Sequence, residues 1–271
     1  MPHISHWELN NWNTCPFYHK LMHIDKIDKF TDNEYFAFGR AVHNTCEKLF
    51  QDKKFSSLSG GRGIGWLISS KTPEYFDSEF LKELKNASKT KKLGADLVIT
   101  LREQGKKVVP LIMNATYKQF GTTFEIVSTE EKIFEPINDI DFPYDFKGRL
   151  DLVLKTGDGK YHVIDWKTCS WGWDVRKKAD RMTTYQLTYY KRFFAQKHNV
   201  DPKDIETYFA LIKRTAKQDN VEFVRVSSGE KKTQNASEFL NNALQNITNK
   251  NFIKNRLSCT RCDFAKTKWC P

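Results

Sequence analysis

The sequence predicts an α/β domain with a mixed central sheet flanked by helices, and three observations carry that prediction. Segments rich in β-branched and aromatic residues fall at 123–135, 146–155 and 160–167, and again at 205–214 and 221–227. Helical patterns surround them, at 34–52, about 175–198 and 234–248. Hydrophobic residues fill 39% of the 271 positions and aromatics 14%, enough to bury a core between such layers.

Each element has a local reason. In 34–52, Phe38, Val42, Cys46 and Leu49 recur at spacings of three and four, so one helix face is apolar and Cys46 belongs to the core. The run GGRGIG at 60–65 marks a loop. Residues 73–105 are lysine-rich, with Leu81, Leu84, Leu93 and Leu97 as apolar marks of a helix. The stretch 53–120 therefore reads as a helical insertion whose basic face is either solvated or touches nucleic acid. The helix at 175–198 ends near His198-Asn199, and the tail beyond Asn251 is basic with three cysteines. The chain divides into an N-terminal segment (1–33) with Cys15, the helix 34–52, the insertion 53–120, a sheet core (121–228) and a C-terminal helix with its cysteine-rich tail (229–271). All belong to a single domain whose ends are expected to meet.

Lys and Arg number 44 against 33 Asp and Glu, a net charge of +11 that favours a polyanionic partner, nucleic acid being the commonest; the plain alternative is solubility. The longest apolar runs, 108–113 and 208–212, are too short to span a bilayer. The first residues, MPHISHWELNNW, lack the apolar stretch of a secretion signal. A cytoplasmic protein without a membrane partner is expected. Six cysteines in that compartment are free thiols or metal ligands rather than disulfides.

The informative chemistry lies in Phe146-Lys-Gly-Arg-Leu-Asp151, a Thr-Gly-Asp-Gly turn, and Tyr161-His-Val-Ile-Asp165-Trp-Lys167. Metal-assisted phosphodiester hydrolysis needs clustered carboxylates for hard cations and a cation near the attacking water or the phosphate. Asp165 and Lys167 lie two apart on a strand and share a face. A three-residue loop with Gly159 in the left-handed position pairs Thr156 with Lys160, and hence Asp151 with Asp165. In that register Leu150, Leu152, Leu154, Ile164 and Trp166 form one apolar face, while Arg149, Asp151, Asp165 and Lys167 occupy the other. A lone Asp-x-Lys would be an ordinary solvated hairpin face; the surrounding blocks argue otherwise.

These blocks resemble the PD-(D/E)XK nuclease superfamily and its RecB-like branch, whose fold is the restriction-endonuclease-like mixed sheet. Gly39-Arg-Ala-Val-His43 matches that branch's Gly-x-x-x-His helix, and Gln186-Leu-Thr-Tyr-Tyr190 its Gln-x-x-x-Tyr helix. The resemblance implies that His43, Asp151 and Asp165, with the backbone carbonyl of Trp166, bind catalytic Mg²⁺ or Mn²⁺. Lys167 would orient or activate the nucleophilic water. Gln186 and Tyr190, one helical turn apart, would contact the DNA strand or support the site.

Cys259-x-x-Cys262 is the usual bite for a tetrahedral metal; Cys270 adds a third thiolate and Cys15 is the best candidate for a fourth. This resembles the iron–sulfur subset of RecB-like nucleases, AddB-type and CRISPR-associated, in which one cysteine before the core joins three after it around a [4Fe–4S] cluster. Seven residues separate Cys262 from Cys270, more than that subset's usual spacing. Zinc or an incomplete site therefore stays open. Cys169 has no assigned role. The expected function is a metal-dependent deoxyribonuclease. By family analogy it is an exonuclease of DNA repair, recombination or phage DNA processing, acting on DNA that is single-stranded or has a free end. A helicase or recombination partner is possible by the same analogy. The rival readings are a structure-specific endonuclease, a catalytically inactive DNA-binding module and a zinc-finger regulator, the last leaving the Asp/Lys hairpin unexplained.

Overall fold

The computed structural model describes residues 2–27, 31–51, 64–89, 92–140 and 143–271, and of residues 64–70 the backbone alone. A six-stranded mixed sheet organises them. Its strands are β1 (His3–Ser5), β2 (Phe124–Pro136), β3 (Asp145–Thr156), β4 (Tyr161–Cys169), β5 (Ile205–Lys213) and β6 (Val221–Val226). The order is β1-β3-β4-β5-β6, with β2 paired to the other edge of β3. The β1–β3 and β4–β5 pairs are parallel, and the rest antiparallel.

Helices cover both faces. They are α1 (His6–Thr14), α2 (Pro16–His19) with a π-helical turn at Lys20–Ile24, α3 (Glu34–Gln51), α4 (Ile64–Ala87), α5 (Ala95–Val108), α6 (Leu111–Phe120), α7 (Val175–Ala179), α8 (Arg181–His198) and α9 (Glu230–Thr248). On one face, α1, α8 and α9 bury Phe146, Leu150, Val153 and Val163. Phe146 and Phe193 stack there with centroids 4.3 Å apart. On the other, α3 to α6 bury Leu152, Leu154, Ile164 and Trp166. Cys46 is fully buried in that layer, as its place on the α3 stripe requires.

The strands expected from β-branched and aromatic patterning all form, with ends shifted by one or two residues. The differences sit at breaks. Residues 73–105 are not one helix: α4 ends at Ala87 and α5 begins at Ala95. Of the expected loop at 60–65, Ile64 and Gly65 open α4, and 60–63 lie outside the described residues. The helix expected over 175–198 is interrupted at Asp180, whose side chain instead caps α8 by accepting from Thr183 N at 2.7 Å. Asn199 ends α8 in the left-handed conformation, φ 52°. The N-terminal strand and helix were not legible, because three residues give no periodicity; Ser5 caps α1 by accepting from Glu8 N.

The hairpin register is the expected one. Leu152 pairs with Ile164 and Val153 with Val163. Gly159 takes φ 85°, and Thr156 N donates to Lys160 O at 3.0 Å. Two expectations fail: the ladder stops short of the expected Asp151–Asp165 and Leu150–Trp166 pairs, and Leu150 does not share a face with Leu152 and Leu154 but packs on the α8 side. The alternation slips by one residue across Asp151, because the β3–β4 ladder ends at the Leu152–Ile164 pair.

Candidate active site

That break makes the site. β2 runs along one edge of β3; on the other edge β1 takes 145–147 and β4 takes 152–155. On that second edge, residues 148–151 are left between them without a ladder partner. In place of a backbone carbonyl, Asp151 Oδ2 accepts the Trp166 N–H at 2.7 Å. The carboxylate is thereby fixed at a point where two strands part, 8% exposed.

Three elements converge there. From α3, His43 Nδ1 lies 3.5 Å from Asp151 Oδ2, and the imidazole is close enough to the Trp166 backbone to feel it electrostatically. From β2 comes Glu130, a residue that sequence reasoning missed. The register Thr129↔Leu152 and Glu131↔Leu150 sets Glu130 against Asp151. His43, Glu130 and Asp151 each offer a ligand atom, all within 4.8 Å of one another. Glu130 adopts φ 49°, a left-handed conformation that strains a residue with a Cβ. Finding it from sequence would have required the β-bulge between Ile126 and Ser128, since that shift decides whether Thr129 or Glu130 faces Asp151.

Asp165 stands with a second set of groups. Lys167 Nζ lies 2.5 Å from its Oδ2, and Gln186 Nε2 donates to Oδ1 at 2.7 Å and to the Tyr190 hydroxyl at 3.2 Å. The expected Asp165/Lys167 face and Gln186/Tyr190 turn are thus brought together, while the tightest ligand group substitutes Glu130 for Asp165. Gly148 permits the approach of α8: a Cβ there would sit 3.0 Å from the Tyr190 ring.

Burial and like charge shape the electrostatics. Burial, and then the Asp165 carboxylate, push Asp151 well above the usual carboxylate range. Burial also raises Glu130, against the Arg149 guanidinium that donates to it at 3.1 Å. Burial works against the Lys167 ammonium, but Asp165 and Asp151 outweigh it and hold the amine above its ordinary value. Burial lowers the His43 imidazole, which favours the neutral form that binds metals. Asp165 Oδ2, fully buried, has the Lys167 ammonium as its one close polar partner among the described residues. Buried, mutually repelling carboxylates are what a hard divalent cation would relieve, and the neutral imidazole adds a third donor. The donor set fits one.

At the far end of α1, Cys15, Cys259, Cys262 and Cys270 line one small cavity with Tyr18, Leu21 and Phe264. Asn255 N donates to Cys15 Sγ at 3.3 Å, tying the start of α2 to the tail. Among the described residues no three of these sulfurs lie within 4.8 Å of one another, whereas four thiolates on a zinc ion would stand about 3.8 Å apart. Cys169, half-buried on β4, points its thiol at the Ile212 carbonyl instead.

The fold and site together define a nuclease. The sequence matches the PD-(D/E)XK nuclease superfamily over residues 3–271, and the chain belongs to that superfamily. The fold is similar to the crystal structure of a candidate exonuclease from Eubacterium rectale, with TM-score 0.53 and 12% identity, covering 96% of this chain and 86% of that one. The crystal structure of SSO0001 aligns over 95% of this chain and 92% of its own at 15% identity, with a TM-score of 0.37. No curated protein matches the sequence. Among the described residues no helix is long and apolar enough to cross a membrane.

Proposed function

We propose that this nuclease is a Mg²⁺- or Mn²⁺-dependent deoxyribonuclease of the RecB-like branch that degrades DNA from a free end. The convergence of His43, Glu130 and Asp151 beside the Asp165–Lys167 pair carries the reading. His43, Glu130 and Asp151, with Asp165 and the Trp166 carbonyl close by, would hold the cation. Bound there, it would polarise the scissile phosphate and lower the pKa of an attacking water. The Lys167 ammonium, fixed by Asp165, positions that water and offsets charge growing on the phosphorus oxygens. Gln186 holds Asp165 from behind and Tyr190 fixes Gln186, so the site is stiff before DNA arrives.

Action from an end is favoured by the likeness to a candidate exonuclease. Repair, recombination or phage DNA processing in the cytoplasm, alongside a helicase, is the setting that reading suggests. The cysteine-lined cavity is assigned to a [4Fe–4S] cluster, because four thiols that line one cavity are soft donors and the resemblance to iron–sulfur nucleases favours that centre over zinc. Iron and sulfide analysis of anaerobically purified protein tests it; zinc alone, or no metal, would overturn it. The nuclease reading is tested with linear and closed-circular plasmid, with Mg²⁺ and with excess chelator. Loss of the linear form alone, in Mg²⁺ alone, is expected. Equal cutting of the closed circle would make this an endonuclease, and cutting in chelator would remove the metal.

A further inference from the structure

Resting on the nuclease reading above, we infer that the cleft between the N-terminal segment and β2–β3 carries a single DNA strand to the site, with one base stacked on Trp7. The cleft opens beside Trp7 and Phe134 and reaches Gly148, Gln186 and Tyr190 at its inner end. It is therefore continuous with the groups that hold Asp165.

The sheet register builds its floor. Lys132 pairs with Arg149 and Phe134 with Lys147, so the four side chains share one face. Their neighbours Ile133, Phe146 and Leu150 point the other way, into the α8 layer. Phe134 is 51% exposed and Trp7 59%, an unusual surface for two large aromatics beside a candidate active site. The Lys132 and Lys147 ammonium groups have no carboxylate partner among the described residues, and both side chains are exposed. Arg149 extends the same row toward Glu130.

Trp7 is held but not covered. The His23 ring meets it edge-on with centroids 4.8 Å apart. His23 is in turn fixed by Asn11 at 3.0 Å and lies against His19. Glu8, the acid in the cleft, is paired with His19 at 3.0 Å, which tempers its repulsion of phosphate. A propped indole and a second exposed ring beside unpaired lysines match what a single strand presents: base faces free to stack and a charged backbone. A duplex hides those faces, so its affinity does not depend on the indole.

The test measures anisotropy of a labelled oligodeoxythymidylate of about 20 nucleotides in chelator, where nothing is cut. Trp7→Ala should weaken binding about tenfold and Trp7→Phe by less than about threefold, while a blunt duplex binds all three proteins equally. Lys132→Glu with Lys147→Glu should weaken the single strand and reduce its salt slope by about 1.4. Wild-type affinity in correctly folded Trp7→Ala, or equal loss for strand and duplex, overturns the inference. Should Trp7→Ala fail to fold, an unchanged salt slope in the lysine pair overturns it independently. Protein that binds the strand through Trp7 yet cuts nothing with Mg²⁺ sinks the nuclease reading and leaves the strand path standing. Protein that cuts linear DNA but ignores both sets of substitutions sinks the strand path alone.

Discussion

The two candidate metal centres of this chain are built in opposite ways. The His43–Glu130–Asp151 group hangs on a long helix and on two strands anchored along their length. Two of its three donors are hard carboxylates, and the Trp166 N–H fixes that of Asp151 before any ion arrives. The cysteine cavity joins α2 to a tail whose regular structure is one 3₁₀ turn at Arg256–Arg261 and isolated bridges. Its apolar support is small: Leu21, Phe264 and Cys270 are its buried members. A site on a rigid sheet stores the strain of repelling charges, and an ion there adds chemistry. A site on short elements with little core needs its ion for shape.

The sharpest break between the two is the loss of a carboxylate. Asp151→Ala should reduce cleavage at least about a thousandfold without lowering the melting temperature, since an under-neutralised buried charge is removed. Glu130→Gly separates chemistry from strain at one position. It should cleave about ten- to a hundredfold more slowly, as loss of one ligand contact implies. It should also melt slightly higher, because glycine accepts φ 49° without strain. Turnover assays and thermal melts on the same preparations check both, and an unimpaired Asp151→Ala would end the site assignment.

The cysteine region should show the converse. Cys262→Ser should lose colour and melt roughly 5–10 °C lower, the shift expected when a few kcal/mol of metal-linked stability is removed from a domain of this size. Catalysis per folded molecule should change little. An unchanged melting curve would make the cavity incidental.

The smallest effect sits on the segment that links the two regions. His6, at the start of α1, bonds Met182 O at 2.7 Å, and burial pulls its pKa down to about 4. The Lys167 ammonium lowers it further, opposed by Asp165 and Asp180. Folding keeps it neutral, so its stability contribution is complete above about pH 6.5 and is lost as pH falls toward 4. The expected loss is on the order of 2 kcal/mol across that window. Denaturant melts at pH 7.5 and 4.5 should show a larger drop for the wild type than for His6→Gln.

Much of this was written locally. The turn 156–159 has few ways to close, so Gly159 sets the register from Lys155–Tyr161 to Leu152–Ile164, and Asp151 and Asp165 follow just beyond it, close enough to interact. The period of α3 separates Cys46, which faces the core, from His43, which does not. Alternation, turn chemistry and helical period depend on neighbours a few residues away, and sequence carries that information. Three things depended on distant partners. Glu130 entered the site through a bulge whose place is decided by packing of β2 on β3. Leu150 changed faces because β1 and β4 leave a gap on the same edge of β3, and neither strand's sequence records that gap. Trp7 became the wall of a cleft because β1 pairs with residues more than a hundred positions away, a contact set by burial of Ile4 against Phe146 and not by any local pattern.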